Sequence, residues 1–158
     1  MKTRLIASVI VGAAVVLGTS GCAMLASQST TIPYSPADGM NVPNSSGPLE
    51  VRNALIVANE DGSEGNFVAA IVNASDDAEV LNIEVGEGAD ATSLTVRVPA
   101  GSTKSLGDGD TAPLLIEDLD VMPGATVSVY FQSGDGEGAR TEIPVLDGTL
   151  DYLAPLAP

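Results

Sequence analysis

Apolar residues alternate with polar ones over much of the chain, and the alternation has the period of a strand. In SLTVRV at 93–98, Leu94, Val96 and Val98 share one face while Thr95 and Arg97 take the other. Residues 79–86 read EVLNIEVG, with Leu81, Ile83 and Val85 in phase and Val80 opposite them. Residues 125–134 put Val127, Val129 and Phe131 together, and residues 139–148 do the same for Thr141, Ile143 and Val145. Residues 49–58, LEVRNALIVA, and 66–75, NFVAAIVNAS, flank EDGSEG, which predicts a hairpin on an Asp-Gly turn. In the first of these strands a continuous alternation aligns Leu49, Val51, Leu55 and Val57.

Shorter strands are expected at 101–107, an edge candidate carrying Lys104, and within 112–121. GEGADA, GDGDTA, MPGA and SGDGEG separate the later segments. Val and Ile dominate the runs and Gly-rich turns bound them closely, which disfavours helices. About seven or eight strands at spacings of roughly 8–12 residues predict a single Ig-like antiparallel β-sandwich over 49–158. Two facing sheets of branched aliphatics suffice for a core, because each buried side chain contributes roughly 1.5–3 kcal/mol. DYLAPLAP at 151–158 is apolar but carries two prolines, so Tyr152 and Leu153 are expected to cover a sheet edge.

The first 48 residues break the pattern. Lys2 and Arg4 precede an uncharged run from Leu5 to Leu17, followed by Gly18, Thr19, Ser20 and Gly21. This is an export signal over 1–21, too short in its apolar part for a membrane span of about 20 residues. TSGC places Cys22 directly behind it, and the site resembles the bacterial lipobox, at which the thiol is diacylated and the chain cut before the cysteine. Thr19 stands where that signal prefers Leu. Residues 22–48 are rich in Ser, Thr, Pro, Gly and Asn and read as a flexible tether, with PADG at 36–39 as a turn.

Composition narrows the chemistry. The chain has no His and one Cys, which excludes the usual Ser–His triad, His-ligated metals, an intrachain disulfide and a four-thiolate site. Loss of Lys2 and Arg4 with the signal leaves four bases against 21 acids, a side-chain net charge of −17 compared with −15 for the whole chain. That charge argues against nucleic acid and keeps the body soluble and off an anionic membrane surface, as an expected monomer. No nucleophile elbow, phosphate loop or dinucleotide fingerprint is present, and the chain reads as non-catalytic with no cofactor.

YSPADGM (34–40), VRNALIVA (51–58), VNAS (72–75), VRVPAGSTKSLG (96–107), PGATVSVYF (123–131) and IPV (143–145) resemble the actinobacterial envelope lipoproteins of the LpqE type. That family is similar in fold to the PCuAC-type periplasmic copper chaperones, so the resemblance implies a cupredoxin-like sandwich. Those chaperones hold Cu(I) through His and Met, and this chain lacks every His.

Metal candidates are therefore few. Met40 and Met122 are thioethers beside turns, with packing at the core edge as the simpler reading. Asp108, Asp110, Asp135 and Glu137 lie in Asp-Gly turns that could offer oxygens to calcium, as could Glu117, Asp118 and Asp120. Solvated turns are the simpler reading, and no EF-hand order is present. Two sequons, at Asn44 and Asn73, read as surface or turn positions. The expected function is a membrane-anchored accessory or interaction domain. It sits on the outer face of a bacterial cell membrane, held in the bilayer through acylated Cys22, and engages another envelope protein. The alternative is a lipoprotein binding calcium, copper or a small ligand.

Overall fold

The computed structural model describes residues 37–158, except Asp110 and the side chain of Ala89. Eight strands form: β1 Leu49–Ala58, β2 Gly65–Asn73, β3 Glu79–Val85, β4 Thr92–Val98, β5 Thr103–Leu106, β6 Leu114–Ile116, β7 Thr126–Ser133 and β8 Ala139–Leu146. The expected all-β sandwich is what the chain builds. One sheet carries β1 and β2 with β5 and β6 both on β2; the other runs β4-β3-β7-β8.

The sheets are not separate. Ile56 and Val57 of β1 pair with Val145 and Leu146 of β8 in a short parallel ladder, the one departure from antiparallel pairing among the described residues. This seam closes one side of the sandwich. Across the other, buried Asn73 at the end of β2 donates to the carbonyls of Val98 (3.2 Å) and Pro99 (3.1 Å) at the end of β4. Its amide also reaches Asp77 O at 2.8 Å, and its Oδ1 accepts from Ser75 N and Oγ. A fully used amide is the condition on which a buried Asn costs nothing. Of the surface or turn position expected for Asn73, the turn holds and the surface does not: it begins a turn inside the protein. Asn44, by contrast, is exposed.

Alternation delivers the core as expected in β3, β4 and β7, and does the same in β2. Phe67, Ile71, Leu81, Ile83, Val96, Val98, Val129 and Phe131 all point inward. The two phenylalanines meet between the sheets, with ring centroids 6.0 Å apart and planes tilted by 41°. In β8, Ile143 and Val145 are buried, while Thr141 is only half-buried and its enclosed hydroxyl has no partner.

β1 differs from its expected pattern. Its register against β2 slips between Arg52 and Leu55, where an extra residue makes a bulge. Asn53 sits there at φ 51°, a left-handed conformation that Asn tolerates better than most residues. One inserted residue flips every side chain after it. Leu49 and Val51 therefore face the main core, and beyond the bulge Ala54, Ile56 and Ala58 take over. Leu55 and Val57, expected on that same face, point to the other side and form a second cluster with Leu153.

The C-terminal tail exists to cover that second face. Leu153 is buried on Leu55 and Val57, and Val68, Leu146, Leu156 and Ala157 pack around them. Asn66 Nδ2 holds the tail at Leu156 O, 2.9 Å away. The tail thus covers a sheet face and not the sheet edge anticipated for it.

The end of the expected tether is also part of the folded body. Met40 and Ala54 exchange backbone hydrogen bonds of 2.8 Å, and Val42 N donates to Val51 O at 3.0 Å. Val42 and Ser46 are buried. Arg52 clamps this stretch, donating to Val42 O (3.2 Å) and Asn44 Oδ1 (3.0 Å) and pairing with Glu50 at 2.9 Å. Ser133 Oγ, fully buried, accepts from Leu49 N (3.1 Å) and donates to Ser46 O (3.3 Å), tying the segment to β7. Composition marks residues 37–48 as a linker because it registers few apolar side chains, not backbone bonds made to a distant strand.

Candidate functional site

Cys22, the expected attachment residue, lies outside the described residues, as do residues 22–36 of the tether, with Met24 and Tyr34. Within the described body, one end of the sandwich is shaped as a site. Two hollows lie beside the covering tail. The larger, about 660 Å³, lies between the start of the β1–β2 turn (Asn59, Glu60), the β6–β7 connection (Met122, Pro123) and the tail (Asp147, Thr149). The smaller, about 330 Å³, shares Pro123 and Asp147 and is lined by Asp38, Leu150 and Tyr152.

The tail is held at this end by short-range hydrogen bonds. Asp147 accepts from the Thr149 hydroxyl and from Thr149 N at 3.1 Å. Those two donors, the hydroxyl first, hold its carboxyl below the usual Asp range. Tyr152 donates its phenol proton to Asp38 Oδ2 at 2.8 Å, joining the tail to the point where the tether enters the body. That bond, ahead of any burial, raises the Tyr152 pKa, since ionisation would forfeit it and set two anions together. Carboxylates and apolar side chains alternate around the hollows: Glu60, Asp147 and Asp38 beside Met122, Leu150 and Tyr152. The last three are at least half exposed. Among the described residues, no Lys or Arg lines either hollow.

Met122, singled out in the sequence, is 58% exposed on the larger hollow, and Met40 is 40% exposed on the added strand segment. Neither fills the core edge, which corrects the packing expected for both: Met122 sits in the β6–β7 connection, and Met40, though its backbone is bridged to β1, leaves its side chain exposed. Asp108 follows β5 and lines a shallow depression of about 200 Å³ with Asn53 and Ser105. Asp110 is outside the described residues. Asp135 and Glu137 lie exposed in the β7–β8 turn, where Tyr130 OH donates to Glu137 O at 2.9 Å. Among the described residues no three acidic, Cys or His side chains come together in a way that could hold a metal ion. No helix among them is long and apolar enough to cross a membrane.

Sequence reading missed the Asp38–Tyr152 pair and the Asn73 network. Neither leaves a signal, since the partners are separated by 114 positions in the first case and by 25 and 26 in the longer bonds of the second.

No protein-family model matches the chain. It is similar to a protein of Leifsonia xyli subsp. xyli (strain CTCB07), 27% identical over 153 residues that cover 92% of each chain. That distant relative is provisionally named a lipoprotein.

Proposed function

We propose that this chain is an envelope lipoprotein of the actinobacterial LpqE type, anchored to the outer face of the cell membrane through acylated Cys22. The carrying observation is the position of the chain's single thiol, directly behind the uncharged Leu5–Leu17 stretch and its small-residue site. A relative named as a lipoprotein and matching nearly the whole chain supports it. Each buried methylene of an acyl chain contributes roughly 0.8 kcal/mol, so two or three chains hold the protein in the bilayer. The acidic body is repelled by anionic headgroups and stands off on the tether.

The body acts as a non-catalytic accessory domain that engages another envelope protein, and tethering raises its effective concentration there. Exposed Met122, Leu150 and Tyr152 favour the tail end of the sandwich as the contact surface. Labelling cells with a palmitate analogue and partitioning lysates into detergent tests the anchor. The wild-type chain should carry label and enter the detergent phase, while Cys22→Ala should carry none and stay aqueous. An unlabelled wild-type protein would overturn the anchor. Cross-linking in native membranes tests the partner, and recovery of the bare monomer alone would overturn that part.

A further inference from the structure

The chain contains five Asp-Gly dipeptides, at 38–39, 61–62, 108–109, 135–136 and 147–148. Each is chemically able to cyclise, because glycine leaves the following amide nitrogen unhindered. Four are restrained by the fold. Gly39 N donates to Asn53 Oδ1 at 2.8 Å, and a side chain at Gly39 would strike the Asn53 and Ala54 backbone. Gly62 N donates to Asn59 O at 3.2 Å, and Gly136 N to Ser133 O at 3.1 Å. The Asp61 carboxylate is also taken up by Ser63 N and Oγ. Asp147 is committed to Thr149, and the tail closes over Gly148, with Ala157 Cβ 3.2 Å from where a side chain there would begin.

Asp108–Gly109 has none of these restraints. Both residues are exposed, Gly109 stands at φ 54°, and only its chain neighbours lie within 4 Å of where its side chain would begin. No hydrogen bond among the described residues engages Gly109 N or the Asp108 carboxylate. Among the described residues the turn is held from its flanks, by Gly107 N to Thr111 O (2.8 Å) and Thr111 N to Asp108 O (3.1 Å).

We propose that Asp108–Gly109 is a spontaneous modification site, the position at which the folded protein converts aspartate to isoaspartate ahead of the other four. The Gly109 nitrogen attacks Cγ of the protonated Asp108 carboxyl. The N–Cγ bond forms, the Cγ–OH bond breaks, and the amide proton leaves with that hydroxyl as water. Water then reopens the succinimide. Opening at the α-carbonyl leaves the chain running through the former side chain, lengthened by a methylene, and turns the Asp108 carbonyl that accepts from Thr111 into a free carboxylate. The β5–β6 turn loses that bond.

The mature full chain, incubated folded near neutral pH in ¹⁸O-water, is mapped by peptide mass spectrometry, since each ring opening leaves one solvent oxygen in its peptide. Label and isoaspartate should gather at Asp108 several-fold faster than at Asp38, Asp61, Asp135 or Asp147. Thr149→Val, which removes the hydroxyl that donates to Asp147 and leaves only the backbone N of residue 149 on that carboxylate, should raise label at Asp147. Equal labelling at any restrained site, no label at Asp108, or no rise at Asp147 in the variant would overturn the proposal.

Discussion

Replacing Leu153 by Ala isolates the contribution of the C-terminal tail. Leu153 is 3% exposed and is the tail's one fully enclosed side chain, packed on Leu55 and Val57. A buried Leu→Ala change costs about 2–5 kcal/mol, the upper range belonging to sites that cannot collapse. Here the tail rests on one sheet face with hollows beside it, so it can settle into the gap, and the lower part of the range applies, about 2–3 kcal/mol. For a domain of this size that corresponds to a fall in Tm of roughly 6–15 °C. Urea unfolding followed by far-ultraviolet circular dichroism measures it directly. Leu150→Ala is the control: Leu150 is 50% exposed in the same tail and should change stability by less than about 0.5 kcal/mol. A Leu153→Ala loss no greater than that of Leu150→Ala would refute the role of the tail as the cover of β1.

The bulge and the tail–tether contact give two further tests. Asn53→Ala leaves Ala at φ 51° and removes the acceptor of Gly39 N, and should cost about 2–4 kcal/mol. Asn53→Gly, which relieves the backbone but not the lost bond, should cost less, and equal losses in urea unfolding would show that conformation plays no part. Tyr152 holds its proton more tightly when folded, so its contribution to stability is complete below the ordinary tyrosine pKa and disappears as pH rises through the raised value. Asp38→Ala should return the Tyr152 titration toward the ordinary value, assigned by loss of that transition in Tyr152→Phe; an unmoved titration would mean the contact is not made in solution.

The expected anchor, the all-β class and most strand faces are legible in the residues alone, because each depends on local order. A signal is read linearly, and alternation in β3, β4 and β7 states which side chains share a face before any partner is known. The phase of β1 is different. Nothing in VRNALIV marks Asn53 as the extra residue, since the left-handed turn is held by bonds from Gly39 and Asn41 arriving from upstream. Once the phase flips, Leu55 and Val57 need a cover, and the tail expected to cap an edge lies instead across that face, with Leu153 buried on them. Asn73 likewise reads as a turn residue until β4 arrives to use its amide. The sequence by itself determined the class of fold, the strand alternation and the expected point of attachment. Tertiary structure decided where that alternation is interrupted, what the tail covers, and which of five identical Asp-Gly turns is left open, because each depends on a backbone or side-chain group brought from a distant part of the chain.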